Sequence, residues 1–234
     1  MIQPLSRYDH TFPNPRYASD EGLLAHGGDL NPNRILGAYR KGIFPWFSED
    51  DPIMWWSPNP RLLIYLDSFK VSKSFRRTLR NGNFEVKFDN DFLSTISHCR
   101  NMKRFGQDGT WITNDIIDAY LELHYMGFAH SVEVYKDNTL IGGLYGLSMG
   151  KAFFGESMFS LAKDGSKIAL KALRDVLYLD GYDFIDCQLP TDHLISMGGE
   201  VVERDIFLDE LEDTLQKGSN IGSWSVYRWE KLDL

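Results

Sequence analysis

Residues 129–188 constrain the fold more than any other part of the chain. Two apolar segments, residues 129–135 and 139–147, flank a Lys-Asp-Asn turn, which is a typical β-hairpin pattern. A third strand is predicted over 151–159, and residues 166–180 then have the apolar periodicity of an amphipathic helix. Residues 184–188 form a short apolar segment that is typical of a buried strand. This order indicates an α/β core. Outside it, we expect Thr113 to cap a helix that runs to Tyr125 with Tyr120 on its apolar side, and residues 224–229 to form a last strand.

A hairpin, a third strand, a helix and a further strand is also the core order of the GNAT acetyltransferase-type fold, which suggests acyl transfer to an amine. The first sixty residues differ, since they hold eight of the nine prolines and three of the six tryptophans. We therefore predict an α+β protein. A small N-terminal α/β domain is expected over residues 1–62, and a larger C-terminal GNAT-like acyltransferase domain over residues 63–234.

Composition narrows the class of protein. The chain of 234 residues carries a net charge of −8, which argues against a protein that simply coats nucleic acid. No apolar run approaches the ~18 residues of a membrane helix, and the start of the chain lacks a signal-peptide pattern. Two cysteines do not make a disulfide framework, and Cys187, in an apolar segment, is expected to be a small core residue and not a nucleophile. We expect a cytoplasmic protein with no membrane partner.

One stretch runs against the overall acidity. Residues 61–104 hold ten Lys/Arg and four Asp/Glu, and the densest part has helical spacing. These cations would lie on one helical face and bind phosphate, or they would form an ordinary solvated surface; both interpretations remain open. The residues concerned are Lys70, Lys73, Arg76, Arg77 and Arg80.

Common catalytic motifs of nucleotide-binding, serine-hydrolase, zinc-protease and dithiol enzymes are absent, and the six histidines show no metal-ligand spacing. Glu156 lies inside a very apolar run, where a carboxylate is costly to bury unless it is paired or used. Asp186 and Gln188 alternate on one predicted strand and so share a face. If the two strands are adjacent, the three side chains converge at one site. The alternative is an edge strand with polar residues facing water.

Two tryptophans lie on predicted loops. Trp46 follows Gly-Ile-Phe-Pro, and Trp111 lies in Gly-Thr-Trp-Ile. Indoles on loops stack on nucleic-acid bases, which contributes ~1–3 kcal/mol per base. Packing at a domain interface is the alternative, and it is the one favoured for Trp55 and Trp56.

Together these segments resemble the leucyl/phenylalanyl-tRNA–protein transferases over nearly the whole chain. The resemblance is carried by eight segments in order: Gly22–Leu30, Gly42–Trp46, Trp55–Pro58, Gly109–Ile112, Ala129–Glu133, Gly142–Gly146, Gly155–Ser160 and Ile185–Gln188. In one place the chain departs from the family, whose next helix opens with Asn-Ala-Ser-Lys. Here that segment is Asp164-Gly165-Ser166-Lys167, which keeps Ser166 and Lys167 for a phosphate and adds a negative charge.

The resemblance implies transfer of Leu or Phe, and less readily Met, from aminoacyl-tRNA to proteins that begin with Arg or Lys, which marks them for degradation. It implies no acyl-CoA, no other cofactor and no metal, and we expect a monomer. By the resemblance, Trp46 and Trp111 hold the terminal adenosine of the tRNA, and Glu156, Asp186 and Gln188 form the reaction centre. Because the resemblance supplies an RNA substrate, we expect the basic residues between Lys70 and Arg80, with Ser166 and Lys167, to contact tRNA phosphates. The aminoacyl side chain would occupy a pocket lined by Leu144, Phe153, Gly155, Met158 and Ile185.

Two other functions stay open from the residues alone. An ordinary GNAT enzyme would use acetyl-CoA, but the segment before the long helix, residues 161–166, is a poor match to a pyrophosphate loop. A module that only binds N-terminal residues would need an acidic pocket for an amine, but neither an acyl pocket nor RNA. Binding of aminoacyl-tRNA distinguishes these alternatives.

Overall fold

The computed structural model describes residues 2–102 and 110–230. Some predictions fall outside these residues. They concern Lys103 and Arg104 of the basic stretch, Gly109 of one family-like segment, and the two ends of the chain, residue 1 and residues 231–234. No helix in the described part of the chain has the length and apolar character needed to cross a membrane.

The N-terminal part of the chain forms a small four-stranded sheet. Its strands are β1 (Gln3–Leu5), β2 (Leu23–Gly27), β3 (Phe44–Pro45) and β4 (Met54–Trp56), in the order β1-β2-β4-β3. Helix α1 (Pro32–Tyr39) lies between β2 and β3; Asn31 caps it through its side chain, and proline occupies the first turn.

A seven-stranded sheet forms the rest of the scaffold. Its strands are β5 (Arg61–Tyr65), β6 (Glu85–Phe88), β7 (Ala129–Lys136), β8 (Thr139–Met149), β9 (Ala152–Ser160), β10 (Phe184–Asp186) and β11 (Glu200–Val202). The order across the sheet is β11-β5-β10-β9-β8-β7-β6. The predicted β7–β8 hairpin, the third strand β9 and the further strand β10 are confirmed. Strand β10 pairs in parallel with β9, so a crossover joins them.

Six further helices accompany the large sheet in the described residues: α2 (Lys73–Asn81), α3 (Phe92–Asn101), α4 (Asn114–Tyr125), α5 (Gly165–Leu179), α6 (Asp192–Ser196) and α7 (Arg204–Leu215). The long crossover helix α5 buries the apolar face that its sequence periodicity predicts. The side chain of Thr113 caps α4, as predicted. The α+β class is confirmed.

The two faces of the large sheet have separate cores. On one face, residues of the small sheet and α1 join α3, α4 and α7 in one continuous cluster that includes Tyr39, Trp55 and Phe154. On the other face, α2 and α5 pack in a second cluster that includes Phe153 and Leu173. The small N-terminal unit therefore shares its core with the large sheet.

Strand β9 contains a β-bulge that changes which side chains face each core. Tyr145 pairs with Ser157, whereas the next residue of β8, Gly146, pairs with Gly155, so Glu156 has no partner on that strand. Residues five apart, such as Phe154 and Phe159, would face opposite sides of a regular strand. Because of the bulge, both lie in the same core.

Some expectations about the elements were wrong or shifted. A last strand over 224–229 is absent, since these residues form turns and irregular chain. Trp224 instead stacks on His130, with ring centroids 3.8 Å apart, and its backbone N–H donates to Asp89. The large sheet begins at Arg61, two residues before the predicted start of the C-terminal domain at residue 63, and the division into two domains stays a prediction.

Candidate active site

A cavity of about 670 Å³ opens where β9 and β10 separate. The two strands pair as far as Phe154 and Asp186, and the chain beyond Asp186 then leaves the sheet. Helices α5 and α6 and the segment after β3 complete the walls. The lining residues are Phe44, Pro45, Trp46, Trp111, Leu144, Tyr145, Phe153, Gly155, Glu156, Ser157, Met158, Leu170, Leu173, Ile185, Cys187, Gln188, Leu189, Thr191, His193 and Leu194.

The structure brings most of the candidate residues to this cavity. All five residues expected to contact the aminoacyl side chain line it, as do both tryptophans, Glu156 and Gln188. Asp186 lies behind the wall, and the basic residues around α2 lie outside the cavity lining. Leu170, Leu173 and Leu194 add an apolar wall that sequence reasoning did not identify.

Glu156 is the only carboxylate that lines the cavity among the described residues. Its Oε1 lies 2.6 Å from the hydroxyl of Tyr39 and 3.2 Å from the Nε2 of Gln188. Its Oε2 lies 3.1 Å from the hydroxyl of Tyr120. Burial raises the pKa of Glu156 to about 7, although the two tyrosine hydrogen bonds oppose the rise.

Gln188 does not continue the strand, so the predicted alternation with Asp186 is wrong. Strand β10 ends at Asp186, and Gln188 has a positive φ of 56°, which non-glycine residues rarely adopt. Its backbone N–H donates to Asp186 Oδ1 at 2.9 Å. This turn sends the Gln188 side chain to Glu156, and its side-chain oxygen accepts no hydrogen bond from the described residues.

Asp186 is held by Arg61 in a fully buried ion pair. The Nε of Arg61 donates to Oδ1 at 2.9 Å and Nη2 donates to Oδ2 at 2.6 Å, which is a bidentate geometry. The guanidinium also lies between the rings of Phe44 and Phe207, at 5.0 Å and 4.5 Å from their centroids. Both carboxylate oxygens are therefore engaged, and the structure makes Asp186 a support for the Gln188 turn.

Trp46 is held in the cavity wall by the strand next to it. The indole N–H of Trp56 donates to the carbonyl of Trp46 at 2.6 Å, and the two rings meet edge to face at 5.6 Å. Trp55 is fully buried in the small sheet and donates to Gly27. Trp46 and Trp111 both remain partly exposed, as a stacking platform requires.

The basic side chains around α2 are exposed, while Phe75 and Leu79 form its buried face. The helix is tied to the start of α5, because the hydroxyl of Thr78 donates to Asp164 at 2.8 Å. Lys167 Nζ lies 3.7 Å from the same carboxylate. The backbone N–H of Ser166 already donates to Ser160 Oγ. Of the two residues expected to bind a phosphate, Lys167 therefore offers the more accessible donor, its ammonium group.

Sequence reasoning missed three residues that shape the site: Tyr39, Tyr120 and Arg61. Tyr120 is predicted on the apolar side of α4, but nothing in the sequence pairs its hydroxyl with Glu156, which is 36 positions away. Cys187, expected as a small core residue, lines the cavity, and burial raises the pKa of its thiol. Within the described ranges, no three His, Cys, Asp or Glu side chains lie together as metal ligands would.

Comparisons with known proteins agree over most of the chain. Residues 63–212 match a family model described as leucyl/phenylalanyl-tRNA protein transferase, and residues 28–59 match its N-terminal domain. A leucyl/phenylalanyl-tRNA–protein transferase from Sulfurimonas denitrificans is 50% identical over 99% of this chain and 98% of its own. One of the same name from Lawsonia intracellularis is 46% identical over 95% of this chain and 98% of its own.

Among solved structures, a ribosomal-protein-alanine N-acetyltransferase from Brucella melitensis covers 63% of this chain and 98% of its own. The two chains are 13% identical, with a TM-score of 0.34.

Proposed function

The chain belongs to the leucyl/phenylalanyl-tRNA–protein transferase family, and from this premise we infer that it moves Leu or Phe, and less readily Met, from aminoacyl-tRNA to proteins that begin with Arg or Lys. It is a transferase of aminoacyl groups. The new N-terminal residue marks the acceptor for degradation, and the enzyme works in the cytoplasm as a monomer.

The donor end of the tRNA occupies the cavity. Trp46 and Trp111 stack on the terminal adenosine, and the aminoacyl side chain enters the apolar part of the cavity, between β8, β9 and α5. The observation that carries this proposal is that one cavity holds both aromatic platforms, an apolar pocket and the Glu156–Gln188 pair. An acyl-CoA enzyme needs no such arrangement of indoles beside an apolar pocket.

The reaction is aminolysis of an ester. A peptide α-amine has a pKa of ~7.7–8.0, so a useful fraction is neutral at cytosolic pH and a strong base is not required. Positioning and charge stabilisation therefore dominate. Gln188 orients the amine through its side-chain oxygen, since its Nε2 is already engaged by Glu156. Asp186 fixes Gln188 through the backbone N–H, and Glu156 positions the amino group or ribose of the donor.

The choice of amino acid follows from the walls of the cavity. Leu173 and Phe153 are fully buried, and no cation lines the apolar part of the cavity among the described residues. One methylene contributes ~1–3 kcal/mol in such a site, so discrimination among Leu, Met and Phe is modest. Charged side chains are rejected more strongly because their desolvation is not compensated.

The tRNA beyond its terminal adenosine follows the basic face of α2. The link from Thr78 to Asp164 fixes this helix beside the start of α5 and Lys167. Lys167 lies in the first turn of α5, the helix that lines the cavity with Leu170 and Leu173. A track from the cavity to α2 thus carries positive charge, and the acidic remainder of the surface repels RNA.

The test is transfer itself. Purified protein is incubated with radiolabelled Leu-tRNA and a model protein that begins with Arg, without CoA. Label in RNase-resistant, acid-insoluble protein is the expected result, and an otherwise identical acceptor that begins with Ala is the matched control. Transfer that appears only when acetyl-CoA replaces the aminoacyl-tRNA would contradict the proposal.

A further inference from the structure

Three oxygen-bearing side chains form a closed triangle at the inner end of the cavity. The hydroxyl of Tyr39 lies 2.6 Å from Glu156 Oε1, and the hydroxyl of Tyr120 lies 3.1 Å from Oε2. The two phenolic oxygens lie 2.7 Å from each other. Each of these separations is a hydrogen-bond distance, so each needs a proton between its two oxygens.

The number of protons decides the charge of Glu156. Burial and the neighbouring carboxyl group raise the pKa of both phenols, so each keeps its proton. Two phenolic protons fill two of the three contacts. If Glu156 is ionised and accepts from both tyrosines, no proton remains for the 2.7 Å contact, and two lone pairs oppose each other. A third proton on Oε2 of Glu156 completes the ring, with Tyr120 donating to Tyr39 and Tyr39 donating to Oε1.

The charges of the buried groups give the same answer independently. Arg61 is the buried cation in this neighbourhood, and both its Nε and its Nη2 are committed to Asp186. One cation thus faces two carboxyl groups. An ionised Glu156 would leave one buried negative charge without a cation among the described residues, and an uncompensated buried charge is costly.

We propose that the reactive form of the enzyme carries Glu156 as a neutral carboxylic acid, held in a three-proton ring by the positioning residues Tyr39 and Tyr120, and that this acid supplies the proton for the departing ribose oxygen. The protonation state follows from the geometry of the ring. Its use in the reaction rests on the proposed function.

In the proposed step, Glu156 gives one proton to the leaving group and receives one from the attacking nitrogen. Attack of the neutral amine forms the C–N bond, and collapse of the tetrahedral intermediate breaks the bond between the acyl carbon and the ribose oxygen. The proton of Glu156 leaves its contact with Tyr120 and passes to that oxygen, which departs as a hydroxyl. The nitrogen loses one proton, which returns to Glu156, so the acid is regenerated and nothing is oxidised or reduced. Gln188 brings the nitrogen to this place, since its Nε2 donates to the same carboxyl group.

Charged and titratable groups surround Glu156. Tyr39 from α1 and Tyr120 from α4 contact its carboxyl group, and the charges of Asp186 on β10 and Arg61 on β5 act on it. Tyr145 from β8 packs on Tyr120, and Cys187 follows Asp186 in the chain. Burial raises the pKa of Glu156 to about 7, and the charge of Asp186 adds to the rise. The acid form is therefore lost as the pH rises through about 7.

Infrared spectroscopy tests the protonation state without any substrate. Exposed glutamates are ionised near pH 6 because their pKa is about 4.3, so a carboxylic-acid C=O band that disappears between about pH 6 and 8.5 reports a group with a raised pKa. We expect such a band in the wild-type difference spectrum, with a midpoint near pH 7. It vanishes in Glu156→Gln and persists in Glu133→Gln, which replaces another buried carboxyl group. If the Glu156→Gln spectrum keeps every carboxylic-acid band of the wild type, the proposal is overturned.

Tyrosine variants test the ring. In Tyr39→Phe, the C=O band shifts to higher frequency, because the carbonyl oxygen loses a donor. Tyr65→Phe, which removes a tyrosine hydroxyl bound to Glu210 on another surface, leaves the band in place. A band that is unchanged in both Tyr39→Phe and Tyr120→Phe means that the ring does not hold the acid, and it overturns the assignment.

Kinetics test the proton transfer. Glu156→Gln keeps a neutral donor and acceptor but has no proton to give, so we expect kcat to fall by about 100-fold while KM for aminoacyl-tRNA is unchanged. A raised KM with normal kcat would mean that Glu156 acts by binding, and it overturns the proton step. If wild-type protein transfers no label but keeps the acid band, the proposed function fails and the protonation state stands.

Discussion

At the scale of the residue, Arg61 determines the shape of the proposed reaction centre without lining the cavity. Its bidentate contact fixes Asp186, Asp186 fixes the backbone of Gln188, and Gln188 meets Glu156. From the sequence, Glu156, Asp186 and Gln188 were predicted to converge, but Arg61 appeared only as one of ten basic residues. The partner of a buried carboxylate 125 positions away depends on strand pairing, which no local pattern specifies.

Leu173 is the residue at which amino-acid selection can be tested. It lines the cavity from α5 and is fully buried, so Leu173→Phe fills pocket volume. We expect kcat/KM for Phe-tRNA to fall about tenfold more than that for Leu-tRNA, because the larger side chain loses its space first. Overpacking also destabilises the fold by ~1–3 kcal/mol, so transfer is measured below the unfolding temperature.

The control for this change lies one turn along the same helix. Leu177 is equally buried in the same core but does not line the cavity, so Leu177→Phe introduces the same strain without narrowing the pocket. The ratio of its kcat/KM for Leu-tRNA to its kcat/KM for Phe-tRNA should equal that of the wild type. Equal ratios in both variants would show that the side chain of the substrate does not lie against Leu173.

At the scale of the element, periodicity predicted the strands and helices of the large sheet well and their endings poorly. The β7–β8 hairpin and α5 follow directly from apolar alternation and helical spacing. The end of β10 at Asp186 does not, because the turn at Gln188 is stabilised by a distant ion pair. Trp224 shows the same limit, since its alternating neighbours suggested a strand while its ring stacks on His130.

Helix α2 is the element on which tRNA binding is tested. Arg76→Ala with Arg77→Ala removes two exposed cations, and we expect weaker binding of aminoacyl-tRNA with a smaller salt dependence. The slope of log K against log salt should fall by about one unit per lost phosphate contact. The matched control is Arg40→Ala with Lys136→Ala, two exposed cations elsewhere. Equal slopes in wild type and the α2 variant would remove this helix from the RNA site.

At the scale of the whole molecule, the small N-terminal unit and the large sheet share one core. Tyr39 of α1 packs edge to face on Phe154 of β9 at 5.1 Å, and the same tyrosine holds Glu156. The compositional break near residue 60 coincides with the border between the two sheets, but composition does not report what the small sheet packs against. A change of composition therefore predicts a change of architecture without predicting independence.

This shared core predicts how the protein unfolds. We expect one calorimetric transition, with equal calorimetric and van't Hoff enthalpies, because neither unit keeps a complete core without the other. Chains of this length often unfold in stages, so the result is informative. Two separate transitions would mean that the N-terminal unit is stable alone, contrary to the packing of Tyr39 and Trp55 in the common cluster.

The bulge in β9 has a consequence for anyone who wishes to transplant this chemistry. Glu156 is the extra residue of the bulge and has no pairing partner on β8. The facing strand needs a glycine there, because a Cβ at Gly146 would lie 2.1 Å from the carbonyl oxygen of Phe154. A regular donor sheet that received only the side chains of this site would place Phe153 and Met158 on opposite faces. A graft must therefore carry the extra residue and the facing glycine together, since the irregularity is itself part of the proposed reaction centre.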